Sequence, residues 1–365
     1  MSVEKIGKIE AISLILLIMI NELVLNVPNM IILPTSTGST LNVIFVSILA
    51  IIFTFIICKL FKPFYGKDIL DISEYVGGKT LKIIVGLLFI LLFIFISSLC
   101  ARYFANSLKV IYFNSSPLVF ILLFLLVPAL FINKFGIKAI SGVNLIFIPL
   151  FIISLIFLLA SSYSKFTVER LFPILGNGFN ETFLIGSSNL FAFTGLAYLY
   201  FMPPLLKEAK NFKSVSIISV IISSLFLIFS IITLLMIFPA VITTDEMLSI
   251  YLLARLIEFG HFLQRLDALF IFIWSIAFIS FLSLTFFYIL RIFQKITKIE
   301  DSKILALPLG FIILGNCLII KNIGVAKYLA RYFYKYGVLI LVFVISLIIL
   351  IVANIKYKKN NNSEG

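Results

Sequence analysis

The chain has 365 residues, of which 62% are hydrophobic and 12% charged, and its mean hydropathy is +1.20. A soluble domain carries about 25% charged residues, so a water-soluble globule of this length is excluded. The net charge of +13 needs no nucleic acid to explain it, because attraction to anionic membrane lipid accounts for it.

Apolar segments recur along the whole chain, each able to cross a hydrocarbon core about 30 Å thick. They fall at 10–33, 41–61, 83–107, 116–133, 141–161, 182–203, 214–239, 262–290, 302–320 and 336–355. The reading is an all-α polytopic membrane protein with about ten transmembrane helices in one transmembrane domain. The first span is too long for a signal-peptide core and has no small-residue cleavage site after it, so it reads as a retained helix. With the N-terminus inside, 19 of the 29 Lys and Arg fall on the cytoplasmic side. The positive-inside rule then puts both termini in the cytoplasm, with the basic segment 321–335 as the exception. Five spans per half is an odd number, so the second five-helix repeat (182–355) must run inverted to the first (1–161). A polar tail, 356–365, follows.

Span 1 carries Glu22 near mid-membrane, about 18 Å from Glu10 at roughly 1.5 Å per residue. Glu22, Asn26 and Asn29 follow i, i+4, i+7 and share one face, with Pro28 inside the stripe. A proline frees a backbone carbonyl, which lipid cannot satisfy. The pattern reads as a broken helix lining a cavity; the plainer alternative is that Glu22 bonds a neighbouring helix and holds the bundle together. In the loop 62–82, Asp68, Asp71 and Glu74 recur at i, i+3, i+6 and predict a short amphipathic helix on the cytoplasmic surface.

Span 3 places Ser98, Arg102 and Asn106 on one stripe, with Arg102 either snorkelling to the interface or lining an outer vestibule. In span 6, Ser187, Ser188, Asn189, Thr194 and Gly195 interrupt the apolar run before Pro203-Pro204 ends it. Interrupted helices at matching places in two halves point to a transporter-type central site. Residues 245–258 form a second amphipathic stretch in which Arg255 and Glu258 are helix neighbours. Span 8 opens with His261, Gln264, Arg265 and Asp267, read either as interfacial anchors or as a gating ion pair or proton relay.

Nothing in the chain suggests catalysis. It has no nucleotide-binding glycine loop, no nucleophile beside a base and no carboxylate pair on one segment. Its single histidine and three scattered cysteines, Cys58, Cys100 and Cys317, form no metal or redox motif. Neither an enzyme, a metal nor a cofactor is expected.

Five stretches together are recognisable: Leu33-Pro34; the loop from Asp68 to Lys79 (DILDISEYVGGK); Gly195 before Pro203-Pro204 and Lys207; Phe262 to Phe270 (FLQRLDALF); and Trp274. They resemble the B-subunit permease family of spore-germination nutrient receptors, a branch of the amino acid–polyamine–organocation transporter superfamily. The resemblance implies a LeuT-like 5+5 inverted repeat with helices 1 and 6 broken, in the inner membrane of an endospore. It also implies an A-type membrane subunit and a C-type lipoprotein as partners, and a small germinant, typically an amino acid, bound between spans 1 and 6.

Carried onto this chain, the ligand site comprises Glu22, Asn26, Pro28, Asn29, Ser98, Phe193, Thr194, Gly195 and Tyr198. Arg102, His261, Arg265 and Asp267 are the gating or ion-pair candidates. Val27-Pro28-Asn29 stands where such transporters have small glycines, so one backbone N–H is missing from the break. Two rival functions fit the same residues: a proton- or sodium-coupled amino acid transporter, and a structural or channel-forming subunit with a vestigial site.

Overall fold

A computed structural model describes residues 4–25, 27–240, 249–255, 266–299, 301–320 and 323–363. Helices make up nearly all of it. In chain order they are α1 (Lys8–Leu25), α2 (Val27–Thr35), α3 (Ser39–Phe61), α4 (Ile69–Ile111), α5 (Leu118–Asn133), α6 (Gly136–Ser161), the short α7 (Leu196–Leu199), α8 (Phe212–Ile237), α9 (Ser249–Arg255), α10 (Leu266–Thr297), α11 (Ala306–Ile319), α12 (Ile323–Tyr332) and α13 (Ser346–Ser363). Among the described residues, six helical stretches are long and apolar enough to cross a membrane, and two shorter apolar helices, α5 and α11, accompany them. Lipid-facing residues such as Phe120, Phe124, Val127 and Phe131 on α5 are more than half exposed. A continuous apolar face of this kind marks contact with membrane.

Span 1 is covered by α1 and α2, on either side of position 26, which lies outside the described residues. Span 6 is not a regular helix: it begins as a π-helical turn, Asn180–Leu184, passes into a 3₁₀ stretch, Ile185–Phe193, and reaches α7 only after Thr194 and Gly195. Runs of 3₁₀ geometry beyond a few residues are uncommon because their hydrogen bonds are poor. Gly186, Ser187, Ser188, Gly195 and Pro203 in this stretch explain why no α-helix longer than the four-residue α7 forms over 182–203. Conversely, the predicted span 336–355 continues in both directions. The basic segment 321–335 is largely the helix α12, which runs through a π-helical stretch, Phe333–Ile345, into α13.

Hydrogen bonds at the two ends fix the relative direction of spans 1 and 6. Ile6, just before α1, donates to Leu205 O at 2.8 Å and accepts from Lys207 N at 2.9 Å. At the opposite end, Asn42 at the start of α3 donates to Thr182 O at 2.7 Å and Gly186 O at 2.9 Å. Asn189 in turn donates to Asn42 Oδ1 at 2.8 Å. Span 1 therefore leaves the end at which span 6 arrives, which is the antiparallel relation an inverted repeat requires. The C-terminal helix returns to the same end as the N-terminus: Asn354 donates to Leu60 O at 2.9 Å, and Lys356 Nζ to Tyr75 O at 2.7 Å.

At that end the acidic loop takes a form that its spacing did not predict. Asp68 caps α4 by accepting from Leu70 N and Asp71 N, both at 3.2 Å, while Asp71 Oδ2 accepts from Asp68 N. The helix turns sharply at Gly77-Gly78, with Gly78 at φ +69°, a conformation open to glycine without steric cost. The amphipathic helix before this bend is clamped rather than loose on the surface. Lys295, near the end of α10, donates to Asp68 at 2.6 Å and Asp71 at 2.7 Å, and Asp68 is fully buried.

Candidate ligand site

A small cavity lies where α1 and α2 face α4 and the π-helical stretch. Glu22 and Leu25 line it from α1, Val27 and Met30 from α2, Leu99, Cys100 and Tyr103 from α4, and Tyr334 from the π-helical stretch. Its free space is about 10 Å³, room for about one water molecule. Glu22 is 2% exposed, and neither carboxylate oxygen has a hydrogen-bond partner. A buried carboxyl without a partner costs several kcal/mol as an ion, and its polar neighbours here are weak ones: Cys100 Sγ lies 3.7 Å from Tyr334 Oη.

Glu22 is thus not holding the bundle together. That role belongs to its neighbour in sequence, Asn21, which projects from the other side of α1. Trp274 Nε1 donates to Asn21 Oδ1 at 3.1 Å, while Asn21 Nδ2 donates to Leu17 O at 2.9 Å and to Ala277 O at 3.4 Å. The single tryptophan packs against Phe104 with ring centroids 4.4 Å apart and is completely buried. Its apolar body and one donor suit a site that needs both.

Span 6 packs behind α1 rather than lining the cavity. A Cβ built on Gly195 would stand 2.6 Å from Met19 Cγ, so α1 passes span 6 at Gly195 with no room for a side chain. Thr194 turns its hydroxyl back onto Phe191 O, which also accepts the Thr194 N–H. Phe193 is buried, and the Phe191 ring lies 5.7 Å from that of Tyr334. Tyr198 sits deeper, its hydroxyl 3.0 Å from Thr285 Oγ1 and its ring 4.4 Å from Phe93. Pro28 and Asn29 are buried in α2.

Of the remaining candidates, Ser98 points its hydroxyl back to Ile94 O at 2.7 Å and offers its carbonyl to Cys317 Sγ at 3.2 Å. Arg102 is 7% exposed and donates to Cys317 O at 3.1 Å. It neither snorkels nor opens onto a vestibule; it ties α4 to the end of α11. Asp267 accepts from Tyr112 and Tyr251, both at 3.0 Å, joining α10 to the end of α4 and to α9. Asn26, His261, Gln264, Arg265 and Glu258 lie outside the described residues.

The sequence reading did not include Asn21, Cys100, Tyr103 or Tyr334. Cys100 and Tyr103 are three apart and share a face of α4, which was a usable signal. For Tyr334 no local signal existed, since its segment reads as a basic loop.

A family model described as spore germination protein matches residues 5–325. The chain belongs to that spore germination protein family. It is 24% identical over 194 residues to Spore germination protein B2 of Bacillus subtilis (strain 168), a match covering 52% of each chain. The alignment thus spans about half the length of that curated relative. Among solved structures, the chain resembles a Na⁺-coupled sialic acid symporter captured in a substrate-bound, outward-open state. The TM-score is 0.68 at 13% identity, covering 94% of this chain and 80% of the symporter. Likeness at that identity concerns the fold: a LeuT-like, multi-pass membrane architecture of permease type.

Proposed function

We propose that this germination-family permease is the B subunit of a nutrient-germinant receptor in the spore inner membrane, with both termini cytoplasmic. In this reading it works with an A-type membrane subunit and a C-type lipoprotein, and a small germinant with an ammonium group, such as an amino acid, binds at the Glu22 cavity between α1 and α2. The observation that carries this reading is the Glu22 carboxyl, buried in an apolar span with no internal partner. Groups so placed are costly and are retained for ligands or protons.

A cavity with room for one water cannot hold an amino acid, so binding selects an arrangement in which α1–α2 and the Tyr334 stretch stand further apart. The germinant's differential affinity for that arrangement shifts the equilibrium that the partner subunits sense. The Tyr103 and Tyr334 hydroxyls, which line the cavity, are the groups nearest to hand for the ligand's polar end, since Pro28 offers no N–H.

The test is a germination dose–response in spores carrying Glu22→Gln, with receptor assembly checked by membrane pull-down of the partner subunits. A charge-assisted hydrogen bond is worth about 1.5–3 kcal/mol, so the half-maximal germinant concentration should rise at least about tenfold. An unchanged response from an assembled receptor removes Glu22 from the site. The transporter reading rests on the fold it shares with the symporter, and uptake of labelled amino acid by vesicles holding this chain alone would favour it.

A further inference from the structure

The groove between the end of α3 and the start of α8 lies far from the Glu22 cavity. It has a volume of about 540 Å³ and is lined by Phe55, Ile56, Lys59, Lys62, Tyr65 and Lys213, with Cys58 at its base. It sits at the end of the bundle where both chain termini gather. We propose that this groove binds the phosphate headgroup of an anionic phospholipid whose acyl chains run along the outer faces of α3 and α8.

Charge is the first argument. Three other lysines at this end are matched by carboxylates: Lys295 by Asp68 and Asp71, Lys82 by Glu74, and Lys210 by Glu208. Among the described residues, Lys59, Lys62 and Lys213 form no ion pair with a carboxylate, and no Asp or Glu lines the groove. All three lysines are exposed. Three lysines thus line one groove that holds no carboxylate of its own, and an anion seated there would gain from all of them.

Surroundings are the second argument, and they select a lipid. Above the lysines α3 exposes Ile48, Ile52, Phe55 and Ile56, of which Phe55 and Ile56 line the groove itself. This apolar face of α3 is the hydrocarbon side of the interface, and α8 continues it with further exposed apolar residues, Ile221 and Leu225, around its own surface. Lys213 Nζ sits 6.0 Å from the centroid of the Phe55 ring, at the level where cation and hydrocarbon meet. A soluble anion would gain nothing from this apolar border, whereas a phospholipid fits both parts. Basic pockets between membrane helices bind anionic headgroups for this reason.

The experiment uses the full-length chain, purified and placed in nanodiscs of phosphatidylcholine alone or with phosphatidylglycerol. Lipid retention is read by native mass spectrometry, and inorganic phosphate serves as the soluble competitor. Wild type and a charge-matched control, K5Q/K8Q/K358Q, should retain phosphatidylglycerol. The groove variant K59Q/K62Q/K213Q should bind it at least about tenfold more weakly, as loss of three surface lysines implies. Equal weakening of both variants, retention of phosphatidylcholine as readily as phosphatidylglycerol, or displacement by millimolar inorganic phosphate would each overturn the proposal. If the groove variant does not fold, a photoactivatable phosphatidylglycerol on the wild type decides. Labelling concentrated on residues 55–65 and 213 supports the site, and labelling spread evenly around the bundle overturns it.

Discussion

Asn21 and Glu22 are neighbours in sequence with opposite fates, because successive residues on a helix project about 100° apart. Asn21 turns toward α10 and is satisfied by Trp274 and the Ala277 carbonyl. Glu22 turns toward α4 and meets no donor. The difference is measurable. Trp274→Phe leaves Asn21 Oδ1 buried without its donor, and an unsatisfied buried acceptor costs about 1–3 kcal/mol. Thermal unfolding in detergent should show that loss. In an Asn21→Leu background the same substitution should cost less, and an equal loss in both would mean that packing alone is responsible. Glu22→Gln, which breaks no internal bond, should leave the unfolding midpoint close to wild type while shifting the germinant response.

Among the elements, the interrupted span 6 depends on close approach. Gly195 admits α1 because it has no Cβ, and the obstacle to a larger residue is the flexible Met19 side chain. Gly195→Ala should destabilise by about 1–3 kcal/mol, the usual range for overpacking, and Met19→Ala should recover much of the loss. Gly186 is different. A Cβ there would stand 2.9 Å from the Glu181 carbonyl and would also collide with the Asn42 amide. Backbone cannot step aside, so Gly186→Ala should be the more damaging of the two and should lack a single-site rescue. Membrane abundance and unfolding temperature of the paired variants check both outcomes. The sequence expected a break in span 1 at Pro28, which lies inside α2. The interruption in span 6 was visible as Thr194-Gly195, although its π and 3₁₀ geometry was not, since no local pattern distinguishes these from an ordinary helix.

For the whole molecule, the clamp of Lys295 on Asp68 and Asp71 joins α10 to the loop before α4, and Ile69 N donates to Tyr200 O at 3.0 Å to bring in the end of span 6. Removing one partner of a buried pair leaves an uncompensated charge and costs about 3–5 kcal/mol. Lys295 and Asp71 are partly exposed, so Lys295→Met should fall at or below about 3 kcal/mol. Adding Asp68→Asn should restore part of it, read again as unfolding temperature. Without such recovery, the clamp would not be the source of the loss.

The sequence by itself determined the membrane-spanning class, the approximate places of the spans, the interruption at Thr194-Gly195 and the isolation of Glu22 in apolar surroundings. Those follow from composition and local spacing, which act over a few residues. The tertiary structure decided who meets whom. It set Tyr334, 312 residues beyond Glu22, across the cavity from it. It gave Arg102 a carbonyl on α11 instead of water, clamped an acidic stripe that looked solvated, and gathered three lysines from two helices into one groove. These are contacts between segments far apart in the chain, fixed by how apolar faces pack, and no periodicity within a single span carries that information.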